Sequence, residues 1–396
     1  MSPSSPTESS GSSKGGLRNN VMKTPVSIVR CETYDDTEVL NGLRRSIDLI
    51  GGIGAMVKQG DRVLLKPNLL LGKPQEKAVT THPSIVKGMI QIVREAGGIP
   101  SIGDSPGMGT CFKNAEKAGI KRVAEEMNCP VVELDRPVLP EKRQGKYFKH
   151  IEIDRTALEA DVVINLPKWK THGMMLLTLG VKNMFGCISG PRKALWHLKA
   201  GEDRILFARM LADVYRIVQP SLTVLDGVVG MDGNGPGSGH PIGLGLIMAS
   251  RDAFSLDQIV CDLLKIRRKS LPTNQVAFEE GIMGDGPEVV GVPVDQVRIP
   301  KFELPPLYGL TWGLPFFVRV GLKSALTSKP SLNEAMCVRC ERCVEICPPK
   351  ALTGDGEALV FDDKKCIRCF CCQEVCPEGA ISLRPGWVLR IAGRKR

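Results

Sequence analysis

From Val26 onward, short runs rich in β-branched residues alternate with longer stretches whose apolar residues recur every three or four positions. Side chains alternate faces along a strand and repeat every 3.6 residues along a helix, so the two periods separate the elements. The pattern predicts strands at residues 26–29, 63–66, 99–103, 131–134, 161–165, 222–226 and 244–249. It predicts helices at about residues 37–50, 84–96, 110–127, 203–218 and 253–265. Strand then helix, repeated, points to an α/β domain with a largely parallel sheet and flanking helices, here over residues 25–304. In such sheets ligands bind at the carboxyl ends of the strands.

The pattern stops on either side. Residues 1–24 are rich in Ser, Gly and Pro and read as a disordered tail. Residues 305–330 are apolar but broken by Pro315 and Arg319. They read as a linker helix between domains or, together with the basic tail of residues 386–396, as an element lying on a membrane surface. No run of eighteen apolar residues occurs, so no transmembrane span is expected. The first residues lack the apolar core of a secretory signal, which gives a cytoplasmic expectation.

Charge narrows the partners. The net charge of +10 divides as +2 on residues 1–24, +6 on 25–330, −2 on 331–385 and +4 on the last eleven residues. No basic stripe is interleaved with aromatics, which make up 5% of the chain, so nucleic acid is not expected. Small anionic substrates and a redox partner protein fit this balance better.

Nine of the fourteen cysteines fall within residues 337–376, a distribution that suits a cofactor site rather than a disulfide framework. Cys337, Cys340, Cys343 and Cys347, followed by Pro348, give C-x2-C-x2-C-x3-C-P. Cys366, Cys369, Cys372 and Cys376, followed by Pro377, repeat it. This is the bacterial two-cluster ferredoxin spacing, in which the fourth cysteine of each run serves the other cluster. The expected ligands of one [4Fe-4S] cluster are Cys337, Cys340, Cys343 and Cys376, and of the other Cys366, Cys369, Cys372 and Cys347. The rival is a pair of zinc sites, since four thiolates also suit zinc. Cys371 is surplus to either count and reads as a packed thiol, as does Cys187. Residues 331–385 are therefore expected to form a small α+β two-cluster ferredoxin-like domain.

Several segments of the larger domain concentrate polar residues beyond what packing requires. Lys66 and Asn68 end a predicted strand, Thr81 and His82 precede Pro83 as a helix cap, and Asp104 ends another strand. Residues 165–186 hold Lys168, Lys170, His172, Lys182 and Asn183 with little acid nearby. They form either a positive pocket that shifts pKa values toward acid and base chemistry or a solvated basic loop. Asp226 precedes the glycine-rich run of residues 230–241, which lacks the Gly-Lys-Ser/Thr ending of a phosphate loop. That run is a lid that brings Asp232, Asn234 and His240 toward the pocket, or a plain flexible loop.

The order of LKPNLL, VTTHPSIVKGMIQIVREAGG, IGDSPG, INLPKWKTHG, TLGVKNMFGCISG and LDGVVGMDGNGP resembles the DUF362 family, uncharacterised proteins in which a ferredoxin-like module often follows. The resemblance implies that one site is lined by Lys66, Asn68, Thr81, His82, Asp104, Lys168, Lys170, His172, Lys182, Asn183, Asp226 and Asn234. It names no reaction. Two readings follow: an oxidoreductase, or an electron-transfer or cofactor-delivery module that docks a partner enzyme and changes no bond itself. In the first, Lys168, Lys170 and Lys182 bind the anion, His172 carries protons, and Asp104 and Asp226 orient lysines or bind a metal. A non-redox enzyme with structural clusters ranks third. No flavin, nicotinamide or haem motif is visible, and a further cofactor in the α/β domain is unspecified.

Overall fold

A computed structural model describes residues 23–141, 144–282, 286–306, 323–354 and 358–393. Most of the expected tail, residues 307–322 of the expected linker and the last three residues of the basic tail lie outside the described residues.

The chain opens with β1 (Thr24–Arg30), α1 (Asp36–Asp48), β2 (Arg62–Pro67), α2 (Pro83–Glu95) and β3 (Ile99–Asp104). The Asp35 side chain caps α1 by accepting from the backbone N–H groups of Thr37 and Glu38. His82 caps α2, with Pro83 in the first turn as the sequence predicts. The single helix predicted over 110–127 is two, α3 (Cys111–Lys117) and α4 (Ile120–Glu126). Gly119 separates them at φ 76°, a left-handed conformation that ends a helix and suits glycine.

Then come β4 (Val131–Glu133), a small pair β5 (Pro137–Val138) and β6 (Ile153–Asp154), α5 (Arg155–Glu159), β7 (Val162–Leu166), β8 (Lys168–His172) and β9 (Leu176–Thr178). These are followed by α6 (Gly180–Asn183), α7 (Arg192–Ala200), α8 (Arg204–Val218), β10 (Leu222–Asp232), β11 (His240–Ser250), α9 (Ala253–Leu263), α10 (Pro272–Glu279) and β12 (Pro287–Gly291). The main sheet has the order β12-β1-β11-β10-β7-β2-β3-β4, with β8 beside β10 and β9 beside β8. Most pairings are parallel, while β11 runs against both β1 and β10, and β9 against β8.

Alternation places the core on both faces of this sheet. Val63 and Leu65 of β2 join the cluster under α1 and α2, whereas Leu64 between them joins the cluster under α8. In β11, Ile247 and Ala249 face the first cluster while Leu246 and Met248 pack with α9. Burying each such side chain contributes about 1.5–3 kcal/mol, so two helical layers hold the sheet rigid at the strand ends where the polar residues lie.

The second domain contains α11 (Lys323–Leu326), β13 (Lys329–Leu332), α12 (Arg342–Glu345), β14 (Leu352–Gly354), β15 (Leu359–Phe361), α13 (Cys371–Glu374), β16 (Ile381–Arg384) and α14 (Trp387–Gly393). β13 pairs antiparallel with β16 and β14 with β15, the short-stranded ferredoxin-like arrangement. Its first strand begins at Lys329, inside the segment expected to be linker. Among the described residues no helix is long and apolar enough to cross a membrane.

Candidate functional site

The residues of the segment 165–186 do not form a loop. Lys168 to His172 make a strand whose every residue is buried. Lys168, Lys170 and His172 alternate with Trp169, which packs in the core with Leu246. Polar residues are tolerated there because each finds a partner.

Two separate polar networks result. In the first, Lys66 Nζ at the end of β2 stands 2.8 Å from Asp104 Oδ1 at the end of β3. Lys66 also donates to the carbonyl of Pro67 and to Asn183 Oδ1. Asn68 Nδ2 donates to the same Asn183 oxygen at 2.8 Å, and Lys170 Nζ donates to Asn68 Oδ1 at 2.7 Å and to the carbonyl of Val79. In the second, Lys168 Nζ lies 2.8 Å from Asp226 Oδ2 and donates to the Tyr34 hydroxyl, which donates to Asp226 Oδ1. The backbone N–H of His82 donates to Asp226, and its ring stacks on Tyr34 at 3.5 Å.

The first network opens on a cleft. The cleft is lined by Lys66, Asn68, Asp104, Lys170, His172, Lys182 and Asn183 among others. It sits at the carboxyl ends of β2 and β3, where a parallel sheet is expected to bind ligands. Lys168, Thr81, His82 and Asp226 are not on its wall. The carboxylate of Asp226 is fully engaged by Lys168, Tyr34 and the His82 backbone, and the Thr81 hydroxyl is taken up by Asn68 N and the carbonyl of Leu166. Asn234 is also elsewhere: it accepts from Gln373 Nε2 at 2.7 Å and donates to the carbonyl of Ile381, tying the glycine-rich turn to the second domain. That run is the hairpin between β10 and β11, and His240 in it is exposed.

The far wall comes from the cysteine-rich domain, through Ile346, Cys371, Glu374 and Val375. Across this boundary His172 Nε2 stands 2.9 Å from Glu374 Oε1. The contact has ion-pair distance without the alignment of a hydrogen bond. The backbone N–H groups of Met174 and Met175 both donate to His172 Nδ1, at 3.2 Å each. Nδ1 is therefore an acceptor, which places the ring proton on Nε2, facing Glu374. Burial, with Lys182 nearby, holds the imidazole neutral by lowering its pKa. Burial alone would raise Glu374, but His172, Lys182 and His197 outweigh it and leave its pKa at about 2. Burial lowers Lys170 and Lys182 and brings Lys193 down to about 7.

The two cysteine runs fold alike. Arg339 and Glu341 in the first loop have φ of 52° and 57°, and Arg368 and Phe370 at the same places in the second have 56° and 61°. These left-handed residues turn the chain back so that successive sulfurs face one point. Ala351 N–H donates to Cys347 Sγ and Ala380 N–H to Cys376 Sγ, both at 3.2 Å. Cys337, Cys340, Cys343 and Cys376 line one cavity, so the fourth cysteine of the second run has crossed to the first. Cys347 in turn lies near the second run: Cys369 acts on its ionisation, and it acts on that of Cys372. Among the described residues no three His, Cys, Asp or Glu converge as they would on a single metal ion. Soft thiols set around a cavity, with backbone N–H groups aimed at them, fit an iron–sulfur cluster.

The comparisons agree with this division. Residues 63–262 match the family described as a domain of unknown function, DUF362. Residues 329–377 match a 4Fe-4S dicluster domain. A thylakoid-associated protein of Synechocystis sp. (strain ATCC 27184 / PCC 6803 / Kazusa) is 37% identical over 315 residues, spanning 76% of this chain and 94% of its own.

The chain belongs to the DUF362 family.

Among solved structures, lactate racemase apoprotein from Thermoanaerobacterium thermosaccharolyticum aligns at 12% identity and TM-score 0.38, over 58% of this chain and 54% of that one. A Thermotoga maritima protein aligns at 12% and 0.36, over 62% and 59%. The chain thus spans less than two thirds of either structure.

The DUF362 domain supplies cleft residues that the sequence reading did not single out. Lys193 and His197 stand four apart on α7, one helix face, and Thr178 ends β9. Cys371, expected to be a packed thiol, lies on the cleft wall as well as beside Cys369. Cys187 is buried and its thiol is pushed up to about 12 by burial, consistent with packing.

Proposed function

We propose that this DUF362 protein is an iron–sulfur oxidoreductase that holds a small anionic molecule in the cleft between its two domains. The observation that carries this reading is the composition of the cleft, in which Cys371 and Glu374 from the cysteine-rich helix face Lys66, Lys170 and Lys182 of the sheet domain. Two [4Fe-4S] clusters, held by Cys337, Cys340, Cys343, Cys376 and by Cys366, Cys369, Cys372, Cys347, would supply single electrons of low potential.

The chain's own residues then divide the work. Lys182 binds the anion, and the Lys66–Asp104 pair keeps the floor of the cleft rigid. His172 is a positioning residue rather than the proton carrier expected from sequence, because both its nitrogens are occupied by backbone N–H groups and Glu374. Lys193, with its pKa brought to about 7 by burial, takes the role of proton donor.

The test is anaerobic reoxidation of the reduced protein by a panel of carboxylate- and phosphate-bearing electron acceptors. Saturable reoxidation that disappears in Lys182→Ala, with the cluster absorbance intact, supports the reading. Reoxidation only by a partner protein, unaffected by that variant, would favour the docking module instead.

A second reading concerns location. Trp387 and Ile391, one turn apart on α14, are both more than half exposed beside Arg390, and the chain ends Arg394, Lys395, Arg396. An aromatic and aliphatic face bordered by basic residues suits the surface of an anionic bilayer. The name of the thylakoid-associated relative agrees with such a place. Co-sedimentation with anionic vesicles, lost in Trp387→Glu, tests it.

A further inference from the structure

We infer that the cleft is a receptor for an organic dianion with an apolar body, whose charged head is met by Lys182, Thr178 and His197. This deepens the reading above, since it takes the cleft as a ligand site, but it does not depend on electron transfer.

The inference starts from which cleft groups are already satisfied. Lys66 is spent on Asp104, Asn183 and the Pro67 carbonyl, and Lys170 on Asn68 and the Val79 carbonyl. Lys193 donates to Ser105. Lys182 is different: among the described residues it has no hydrogen-bond or ion-pair partner, and its Nζ lies over the rings of Phe185 and Phe207 at 5.2 and 5.8 Å. Thr178 Oγ1 and His197 Nδ1 are buried and likewise lack a partner. His197 is fixed by stacking on Phe207 at 4.4 Å, so its free nitrogen has a set direction.

An unmet buried polar atom costs about 1–3 kcal/mol, and two of them, Thr178 Oγ1 on β9 and His197 Nδ1 on α7, share one space with the half-buried Lys182 on α6. Lys182 can only donate, and the other two can donate as well, so the missing partner is an acceptor. The number of charges follows from the cleft's own inventory. Four lysines line it against two carboxylates, Asp104 and Glu374, so with all six groups ionised two positive charges are left without a partner. Burial weakens the positive charge on Lys170, Lys182 and Lys193, and a bound dianion would restore it. The remaining walls, including Leu70, Pro236, Ile346 and Val375, are apolar, the usual make-up of a site that holds a small organic molecule. A phosphate monoester and a dicarboxylate share this chemistry.

The test is calorimetric titration of the full-length protein, purified without oxygen, with four probes built on one ring: phenyl phosphate, phenylmalonate, benzoate and benzyl alcohol. The expected order places one dianion at least about tenfold tighter than benzoate, with benzyl alcohol weakest. Whichever dianion leads distinguishes the phosphate from the dicarboxylate source. Lys182→Met, which keeps the side-chain length and removes the charge, should weaken that dianion about tenfold or more and leave benzyl alcohol unchanged. Thr178→Val should give a smaller loss. Equal binding of the neutral and dianionic probes, unaltered affinity in Lys182→Met, or no binding of either dianion would each overturn the inference. Dianion binding without any cleft-dependent reoxidation would leave it standing and sink the oxidoreductase reading. Lys182-dependent reoxidation by a carboxylate monoanion, without dianion binding, would do the reverse.

Discussion

His172 Nε2 and Glu374 Oε1 meet at 2.9 Å across the boundary between the DUF362 domain and the cysteine-rich domain, 202 positions apart in sequence. Both side chains are largely withdrawn from water, so each depends on the other. Removing the imidazole in His172→Ala strands the Glu374 charge, a change of about 3–5 kcal/mol for a buried partner. The expected outcome is weaker docking of the second domain, read as a lower urea midpoint. His172→Gln, which places an amide N–H opposite Glu374, should recover part of the loss. Equal stability of His172→Ala and the parent protein would show that the contact does not hold the domains together.

Gly186 tests the cleft floor. A Cβ there would fall inside Asp104 Oδ1 and 2.5 Å from Lys66 Nζ. Neither group can step aside, because Lys66 is held by Pro67 and Asn183 and Asp104 by the N–H of Leu69. Gly186→Ala should therefore break the buried pair and cost about 3–5 kcal/mol. Gly243→Ala, with open space around its Cβ, should be close to neutral in the same urea titration.

Much of the fold was readable because β2 and β11 obey alternation so plainly, with Leu64 on one face between Val63 and Leu65 on the other. β8 followed the same rule and was missed. Lys168, Lys170 and His172 occupy one face and Trp169 the other, yet charged residues at strand spacing look like a solvated loop until their partners are known. The partners Asn68, Asp226 and Glu374 come from distant parts of the chain, so one run of sequence held residues of two networks. The cysteine expectation rested on a ligand spacing that is local and repeated, with only the crossing of each fourth cysteine reaching beyond its own run. Lys193 and His197 did leave a signal, four residues apart on one helix, but nothing nearby distinguished that face from a surface.

His82 predicts a pH dependence away from the clusters. Burial lowers its pKa to about 4, with Lys168 acting in the same direction and Asp226, Glu76 and Asp36 opposing. The unfolded chain, at the ordinary value of 6.5, takes up the proton first. The neutral ring's contribution is therefore present above about pH 6.5 and is lost as pH falls toward 4. At about 1.4 kcal/mol per unit the loss is on the order of 2–3 kcal/mol. His82→Asn keeps a cap acceptor for Ser84 and removes the titration. Its helical signal in urea should show a shallower fall in stability between pH 6.5 and 4. The slope does not vanish, because His197, lowered to about 3 by burial, contributes with the same sign. Parallel curves for the two proteins would assign the acid sensitivity elsewhere.

The crossing of the cysteine runs can be separated from simple adjacency by combining substitutions. Cys376 lines the cavity of Cys337, Cys340 and Cys343, although its neighbours in sequence are Cys369 and Cys372. If each cavity holds one cluster, Cys376→Ala should remove about half of the iron and acid-labile sulfide. Adding Cys340→Ala to that variant should remove little more, because both substitutions strike one ligand set. Adding Cys369→Ala should remove nearly all of it, because the second set is then broken too. An uncrossed arrangement inverts these two results, since Cys376 and Cys369 would share a cluster and Cys340 would belong to the other. Iron and sulfide per chain, checked against the paramagnetic signal of the reduced protein, give the answer for both doubles, and retention of half the iron in Cys369→Ala/Cys376→Ala would refute the crossing.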